Sequence, residues 1–391
     1  MKKKIAILGS TGSIGKTSLE ILKKDLKKFK IFLLTANSNY SLILKQINKY
    51  KPDYFIINDF KVFERIKKLK KKNKVIILNK FSEFSLKKFK IDITISGIVG
   101  IAGLEPTIKF TKISKKILLA NKETVICGWH ILKKISEKYK TSVVPIDSEH
   151  FSINELTKNF TDSEIDKIYI TGSGGPFLRK PFNKFKSIKA SDAIKHPKWQ
   201  MGKKISVDSS TLMNKVLEVL EAFKLFQFSK EKYNIVIHPQ SLIHAIVFFS
   251  NGQAKFLYHT TDMKIPIGNA IYNNKINIKK ILSKKMNNFK DFNHLKFEQV
   301  DKKKFPIVTL LKKNIFNNSA PIILNASNEV LVNQFLKKKI PFNSIYPYLK
   351  RVFKDKDYKK YAIKTSPSIK EIYDIDNWAR NKTLSVIRNK R

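Results

Sequence analysis

Short apolar runs separated by lysine-rich segments recur through the first third of the chain. The first run, residues 5–8, has no polar interruption, as expected of a parallel strand that is buried on both faces. Segments with helical periodicity, such as 17–28 and 40–50, lie between several of the runs. Strands that alternate with helices are typical of a parallel sheet, so residues 1–147 are predicted to form a Rossmann-like, doubly wound α/β domain. The further apolar runs lie at 31–35, 54–57, 74–78, 91–95, 116–120 and 142–146.

The rest of the chain shows a different order of elements. Between residues 148 and 285, apolar runs at 235–237 and 245–249 are mixed with loops and a helix, which favours an α+β domain. Residues 286–305 are polar and lysine-rich and are predicted to be a connector. Residues 306–391 show a helical pattern and are predicted to form a small helical domain. Its helical segments are expected near 307–313, 326–338 and 345–353.

Length and composition agree with a globular protein of two or three domains. The chain has 391 residues, 42% hydrophobic and 28% charged. No apolar run reaches the roughly 18 residues that a membrane span needs, and the N-terminal residues lack the features of a signal peptide. The single cysteine, Cys127, fits a reducing compartment. A cytoplasmic protein without a membrane partner is therefore expected.

The net charge of +47 is the main competing signal. A strongly basic protein can bind nucleic acid or an anionic surface. Here the lysines are spread along the whole chain, which favours a general composition bias over a focused binding patch. No specific nucleic-acid partner is predicted, and a basic nucleic-acid-binding protein is kept as the alternative.

A glycine-rich loop follows the first apolar run directly. Gly9, Gly12 and Gly15 have the spacing G-x-x-G-x-x-G and precede a helical segment. Such a loop lets a pyrophosphate approach the backbone and face a helix N-terminus; the alternative is a plain tight turn. The second run ends at Asn37-Ser38-Asn39 without the acid that NAD-binding proteins use for the ribose, which favours NADP over NAD.

Two carboxylates, Asp147 and Glu149, follow the run at 142–146. If the strand continued through them, both side chains would lie on one face and could bind one cation. Ligation by carboxylates alone suits Mg²⁺ or Mn²⁺. The alternative is a helix N-terminus with acids near its dipole.

A second set of polar residues could bind an anion. The polar residues of this set are Ser209, Ser210, Thr211, Asn214 and Lys215. A helix is predicted after Thr211, and Asn214, Glu218 and Glu221 share one face of it. The alternative interpretation is a surface ion pair between Lys215 and Glu218.

Two loops of the middle region are also candidates. The segment 172–177, Gly-Ser-Gly-Gly-Pro-Phe, could form a backbone nest for an anion or a flexible turn. His196 and Trp199 lie in a polar loop that could close over a substrate or serve as an apolar anchor. His238 and His244 flank an apolar strand and are interpreted as structural.

Taken together, these motifs closely resemble the 1-deoxy-D-xylulose 5-phosphate reductoisomerase family, which uses NADPH to make 2-C-methyl-D-erythritol 4-phosphate for isoprenoid biosynthesis. The resemblance extends over nearly the whole chain and implies an N-terminal NADPH domain, a central catalytic and dimerisation domain with a mobile loop at about 193–204, and a C-terminal helical domain. It also implies a homodimer and a divalent metal: Mg²⁺, Mn²⁺ or Co²⁺. The matching segments, in family order, are 9–15, 119–123 (Leu-Ala-Asn-Lys-Glu), 147–150 (Asp-Ser-Glu-His), 172–177, 196–218, 237–244 (Ile-His-Pro-Gln-Ser-Leu-Ile-His) and 324–329 (Leu-Asn-Ala-Ser-Asn-Glu).

The resemblance also assigns roles to individual residues. The metal ligands would be Asp147, Glu149 and Glu218. The residues at the substrate would be Lys122, Ser148, Glu149, Ser173, His196, Trp199, Ser209, Asn214, Lys215 and Glu218, of which Ser173, Ser209, Asn214 and Lys215 would hold the phosphate. The residues at NADPH would be Thr11, Gly12, Ser13, Ile14, Asn37, Ser38, Asn39, Asn121, Glu123, Met201 and Gly202. The family often has a lysine or arginine where this chain has Ser38, so a weaker preference for NADPH is expected.

Overall fold

The apolar runs of the first third form the strands of one sheet. A computed structural model describes residues 1–69, 74–85, 89–199, 202–282, 289–312, 315–316 and 318–389. The strands of the described residues are β1 (Lys3–Leu8), β2 (Phe29–Ala36), β3 (Tyr54–Ile57), β4 (Ile76–Leu78), β5 (Ile91–Ser96), β6 (Ser114–Leu119), β7 (Ser142–Pro145), β8 (Ile165–Gly172), β9 (Tyr233–Ile237), β10 (Ile243–Phe249), β11 (Ala254–Tyr258) and β12 (Glu298–Gln299).

The α-helices cover about half of the remaining described chain. They are α1 (Ser13–Lys23), α2 (Tyr40–Tyr50), α3 (Phe60–Leu69), α4 (Leu104–Thr111), α5 (Lys122–Lys138), α6 (Ser148–Thr157), α7 (Ala190–Ala193), α8 (Lys203–Thr211), α9 (Met213–Phe226), α10 (Lys264–Tyr272), α11 (Ala320–Leu336), α12 (Ile345–Phe353), α13 (Tyr358–Ala362) and α14 (Ile369–Arg388). Within the described ranges, none of them is both long and apolar enough to cross a membrane.

The chain divides into two compact units. The first contains Met1–Thr124, Trp129–Phe151 and Asp262–Met286, and the second contains Val125–Gly128, Ser152–Thr261 and Asn287–Arg391. The segment 262–286 belongs to the first unit because α10 packs against α1 and contributes Ile267 and Ile271 to its core. The predicted domain limits at 147, 285 and 305 stay predictions.

The first unit is built on a parallel sheet, as the uninterrupted apolar runs predict. The strand order is β4-β3-β2-β1-β5-β6-β7, and every neighbouring pair of strands is parallel. The order reverses between β1 and β5, so the loops after these two strands diverge at the carboxyl edge. Such a switch point is where nucleotides bind in doubly wound sheets.

The second unit contains a mixed sheet and a group of helices. Its strand order is β11-β10-β8-β9-β12, with β8 and β9 parallel and the other pairs antiparallel. This arrangement confirms the predicted α+β character of the middle region. The segment expected to be helical near 307–313 is a 3₁₀ helix, Pro306–Lys312, and α12 lies where the pattern predicts it.

Candidate active site

The glycine loop after β1 folds tightly against its neighbours. Gly9 has a φ of +84°, and a Cβ there would lie 2.9 Å from the carbonyl oxygen of Gly97 in the loop after β5. A Cβ on Gly15 would lie 2.5 Å from the carbonyl oxygen of Gly9. Gly12 is the N-cap of α1 and has no side chain that could cap the helix. The backbone N–H groups of the first turn of α1, close to Thr11, Ser13 and Ile14, can therefore face an anion.

A buried glutamine fixes this loop. The Nε2 of Gln46 donates to the carbonyl oxygen of Ser10 (2.9 Å), and its Oε1 accepts from the Ser10 hydroxyl (2.6 Å). Gln46 is buried on α2. Sequence reasoning missed it, because an amide on a lysine-rich helix gives no signal that it faces inward.

The turn after β2 carries no acid and exposes its polar side chains. Asn37, Ser38 and Asn39 are exposed. The Asn39 side chain caps α2 by accepting from the backbone N–H of Leu42 (3.2 Å). Asn37 and Ser38 are therefore the side chains of this turn that remain available to a ligand.

The segment Asn121-Lys122-Glu123 begins α5 and is buried. Asn121 caps the helix by accepting from the N–H of Thr124 (2.5 Å), and its Nδ2 donates to the carbonyl oxygens of Ile98 and Gly100, the latter at 2.9 Å. The two contacts hold the loop after β5 against the start of α5. Glu123 is 5% exposed beside them.

The predicted strand geometry of Asp147 and Glu149 is wrong, and the helix alternative is correct. β7 ends at Pro145 and α6 begins at Ser148, so the pair lies at a helix N-terminus. The carbonyl oxygen of Asp147 accepts from the N–H of Phe151 (2.8 Å), and its Oδ1 lies 3.4 Å from the N–H of Glu149. The two side chains still bring carboxylate oxygens within 4.8 Å of each other.

Two neighbouring side chains, Lys122 and His150, favour the ionised form of Asp147. Its carboxylate lies 3.6 Å from Nζ of Lys122 and 3.6 Å from Nδ1 of His150. Burial opposes ionisation, but Lys122 and His150 outweigh it and hold the pKa of Asp147 well below its usual range. The Ser148 hydroxyl donates to the Glu149 carboxylate. Asp147 and Glu149 thus form an oxygen-only donor set of the kind that Mg²⁺ and Mn²⁺ prefer.

In the second unit, the glycine loop after β8 packs against α8. Gly174 and Gly175 have φ values of +81° and +68°, and a Cβ on Gly175 would lie 2.9 Å from the carbonyl oxygen of Ser209. A side chain at 175 would push the loop away from Ser209 and Ser210. The left-handed glycines agree with the predicted anion nest.

The predicted polar helix face is present and buried. Lys215 Nζ donates to Glu218 (2.7 Å), and Asn214 Nδ2 donates to the other carboxylate oxygen of Glu218. Lys215 is 6% exposed and Glu218 is 1% exposed, so the pair is not the surface ion pair considered above. The methylene groups of Lys215 pack over Gly172, where a Cβ would lie 3.2 Å from them.

A break between two helices positions this group. Leu212 lies between α8 and α9; it is buried and has a φ of +63°. The left-handed conformation is uncommon for leucine and turns the chain between Ser209 on α8 and Asn214 on α9. Ser209 and Asn214 are 7% and 8% exposed.

His196 is held as a neutral donor. Its Nδ1 accepts from the N–H groups of Lys198 (3.2 Å) and Trp199 (2.9 Å), so Nε2 carries the proton and donates to the Ser173 hydroxyl (3.0 Å). Burial and the nearby Lys215 charge lower the pKa of His196 to about 4. Ser173 also accepts from the N–H of Gly175 (3.1 Å), which leaves its own O–H to donate to a ligand.

His238 and His244, interpreted from the sequence as structural, contact other groups of the protein. Nδ1 of His238 bonds to the carbonyl oxygen of Lys296 (2.8 Å). His244 stacks on His259 with ring centroids 3.9 Å apart and meets the edge of Trp199 at 6.0 Å. Gly202 is the exposed N-cap of α8. Met201 lies outside the described residues.

One long-range contact supports α8 and was not predicted. Nδ2 of Asn328, on α11, donates to Oδ1 of Asp208 (2.7 Å), and Nζ of Lys204 lies 3.4 Å from the other oxygen of Asp208. Both Asp208 and Asn328 are fully or almost fully buried. Because Asp208 directly precedes Ser209, this contact fixes the end of α8 that carries the predicted phosphate ligand.

A parallel doubly wound sheet with a glycine loop after its first strand is typical of a dinucleotide-dependent oxidoreductase. Family models agree along the chain: 1-deoxy-D-xylulose 5-phosphate reductoisomerase matches residues 5–128, and two C-terminal domains of the same enzyme match residues 143–226 and 259–382. The 1-deoxy-D-xylulose 5-phosphate reductoisomerase of Pelagibacter ubique is 43% identical, covering 98% of this chain and 99% of the relative. The chain belongs to the 1-deoxy-D-xylulose 5-phosphate reductoisomerase family.

Solved structures agree with this assignment. The 1-deoxy-D-xylulose 5-phosphate reductoisomerase from Zymomonas mobilis in complex with NADPH is 29% identical, with a TM-score of 0.88 over 99% of both chains. A DOX-P reductoisomerase in complex with NADPH, fosmidomycin and magnesium is also 29% identical, with a TM-score of 0.91 over 99% of this chain and 98% of the other. The predicted fold class and family are therefore confirmed.

Proposed function

We propose that this chain converts 1-deoxy-D-xylulose 5-phosphate to 2-C-methyl-D-erythritol 4-phosphate, using NADPH and a divalent cation (Mg²⁺, Mn²⁺ or Co²⁺), in the biosynthesis of the isoprenoid precursor isopentenyl diphosphate. The observation that carries the proposal is the buried group of Asn214, Lys215 and Glu218 beside the glycine loop 172–175, in a member of this family. A buried lysine next to two left-handed glycines suits a phosphate.

The metal ligands in this proposal are Asp147, Glu149 and Glu218. The donor set fits a hard cation, because all three offer carboxylate oxygens and Asp147 stays ionised at neutral pH. When bound, the cation supplies Lewis acidity to the carbonyl and hydroxyl oxygens of the substrate. Lys122 and Ser148, which contact Asp147 and Glu149, would orient those oxygens.

The phosphate of the substrate would be held by Ser173, Ser209, Asn214 and Lys215. Lys215 supplies a positive charge, and Ser173 keeps a hydroxyl proton to donate. His196, neutral because its pKa is about 4, keeps that hydroxyl oriented without adding charge. Anchoring at the phosphate provides binding energy remote from the reacting carbons.

The cofactor site would use Thr11 to Ile14 at the start of α1 and the turn Asn37-Ser38-Asn39. Asn121 and Glu123, at the start of α5, and Met201 and Gly202 complete the proposed set. When bound, NADPH supplies the hydride that reduces the rearranged aldehyde. A loop at about 193–204, carrying His196 and Trp199, would close over the substrate and exclude water.

Further parts of the proposal concern organisation and location. Residues 1–147 would bind NADPH, residues 148–285 would carry catalysis and dimerisation, residues 286–305 would connect, and residues 306–391 would form the helical domain. A cytoplasmic location is proposed because the single cysteine suits a reducing compartment.

The direct test is oxidation of NADPH, followed by absorbance, with 1-deoxy-D-xylulose 5-phosphate as substrate. Turnover is expected with Mg²⁺ or Mn²⁺ and not in the presence of a chelator. Lack of turnover with every metal would contradict the proposal. Salt-dependent DNA binding without NADPH binding would instead favour the nucleic-acid alternative that the net charge of +47 suggests.

The turn after β2 gives a prediction about cofactor choice. Replacing Ser38 by lysine is expected to lower the KM for NADPH several-fold and to leave the KM for NADH almost unchanged, because only NADPH carries a 2′-phosphate. The gain should shrink as salt rises, since an exposed ion pair is screened. Steady-state kinetics with both cofactors provide the measurement. Equal changes for both would show that residue 38 does not face the 2′-phosphate.

A homodimer is also part of the proposal, supported by an exposed aromatic face on the second sheet. Tyr169, Ile246, Phe248 and Phe256 lie on one face of β8, β10 and β11, with Phe248 39% and Phe256 46% exposed. Light scattering is expected to give twice the 45.3 kDa of one chain, and Phe256→Glu is expected to shift the protein towards monomer. Ile363→Glu, at another exposed position, serves as the control. A monomeric wild-type protein would contradict the proposal.

A further inference from the structure

The proposed preference for NADPH poses a problem at the turn after β2. A 2′-phosphate carries about two negative charges, and proteins commonly bind it through a cationic side chain near this turn. Here the turn is Asn37-Ser38-Asn39, with no lysine or arginine. A cationic side chain on a neighbouring element is the alternative to a charged turn. The inference that follows rests on the proposed use of NADPH.

The helix α3 begins close to this turn. The N–H of Asn58 donates to the carbonyl oxygen of Ala36 (3.0 Å), and the N–H of Asp59 lies 3.4 Å from the carbonyl oxygen of Asn37. The Asp59 carboxylate caps α3 by accepting from the N–H of Val62 (2.9 Å). α3 is thus anchored against the turn, and the Asp59 carboxylate at its start already has a hydrogen-bond partner.

Arg65 extends from α3 towards the residues of the turn. Its guanidinium carbon lies 4.0 Å from the ring centroid of Tyr40, and the N–H of Tyr40 donates to the carbonyl oxygen of Ser38 (2.8 Å). The arginine is exposed, and it makes no ion pair with another described residue. Stacking occupies the face of the guanidinium and leaves its N–H edges free to bind an oxyanion.

The choice of arginine matters in this chain. Only six of its 78 basic residues are arginine. Lysine has neither the planar face that stacks on tyrosine nor the fork that binds two phosphate oxygens. Tyr40 packs against the main core of the first unit, so the stack holds the guanidinium in one position beside the turn.

We propose that Arg65 is a specificity-determining residue that binds the 2′-phosphate of NADPH from α3, with its guanidinium positioned by the ring of Tyr40. It replaces the cation that the turn itself lacks. Ser38 and Asn37 add hydrogen bonds to the same group.

Binding of NADP⁺, NAD⁺ and 2′,5′-ADP to the purified full-length chain tests the proposal by calorimetry, without substrate or metal. Arg65→Gln is expected to raise the Kd of NADP⁺ and of 2′,5′-ADP by about tenfold or more, and that of NAD⁺ by less than about twofold. Arg65→Lys should fall between, because it keeps the charge and loses the fork. Lys61→Gln is the matched control, since it removes one exposed charge from the same helix.

The outcomes separate this inference from the proposed function. If the wild-type chain binds NADP⁺ and Arg65→Gln binds it equally well, or weakens NAD⁺ to the same degree, the role of Arg65 is overturned and NADPH use stands. If Lys61→Gln has the same effect as Arg65→Gln, the general positive field is responsible, and the specific contact is likewise overturned. If the wild-type chain binds neither NADP⁺ nor 2′,5′-ADP, the proposed cofactor itself is wrong. Adding Ser38→Lys to Arg65→Gln should restore tight NADP⁺ binding.

Discussion

Replacing Glu218 by glutamine is expected to lower kcat/KM by about a thousandfold or more and to weaken Mn²⁺ binding. In the proposal Glu218 is a metal ligand, so its loss removes several kcal/mol of charge stabilisation, and each 1.36 kcal/mol changes the rate tenfold. Steady-state kinetics and titration with Mn²⁺ give the two measurements. The exposed Glu231→Gln, which makes the same change in charge, should leave both unchanged.

The fold of the Glu218→Gln protein should survive, with reduced stability. Glu218 accepts from Lys215 on one oxygen and from Asn214 on the other, whereas glutamine can accept on one side only. The mismatch leaves one donor facing an amide N–H₂ and should cost about 1–3 kcal/mol of the free energy of unfolding. Full activity together with unchanged Mn²⁺ affinity would remove Glu218 from the metal site.

The parallel sheet could be predicted because its strands are buried on both faces. Such burial makes runs like those of β1 and β3 apolar without interruption, and the pattern is then visible in sequence alone. The helix α14 lies within the predicted helical domain, but its bounds were not predicted, although Ser368 and Glu371 form a capping box at its start. Few positions of α14 are buried, and two of these, Asp376 and Thr383, are polar. The helical repeat of apolar residues is therefore hard to see in the sequence.

The local geometry of Asp147 and Glu149 could not be fixed from the sequence. An apolar run leads directly into Asp147, so strand and helix start are both compatible with the pattern. Asp147 is a favourable N-cap residue, and the structure begins α6 immediately after it. The proximity of the two carboxylates was predicted correctly for the wrong geometric reason.

Burial of Lys215 and Glu218 depends on contacts far away in the sequence. Residues three apart on a helix give the same pattern in a solvent-exposed pair and in a buried one. Here the close approach of Gly172 covers Lys215. The contact of Asn328 with Asp208 joins residues 120 positions apart, and no local pattern reveals it.

The buried position of Lys215 leads to a second large expected effect. Its ammonium group neutralises Glu218 at 2.7 Å, and in the proposal it also binds the substrate phosphate. Lys215→Ala should therefore act on two properties. It should weaken substrate binding, and it should leave the Glu218 carboxylate buried without its cation.

For Lys215→Ala, the KM for 1-deoxy-D-xylulose 5-phosphate is expected to rise, and kcat/KM to fall at least about tenfold, because a charged hydrogen bond contributes roughly 1.5–3 kcal/mol. Without metal, the free energy of unfolding should fall by about 3–5 kcal/mol. Added Mn²⁺ should raise the melting temperature of Lys215→Ala more than that of the wild type, since a cation beside Glu218 replaces the lost charge. Lys230→Ala, at an exposed position, is the control for the change in net charge.

An unaltered kcat/KM of Lys215→Ala would show that Lys215 does not hold the phosphate. A loss of Mn²⁺ binding would show that the main role of Lys215 is to shape the metal site.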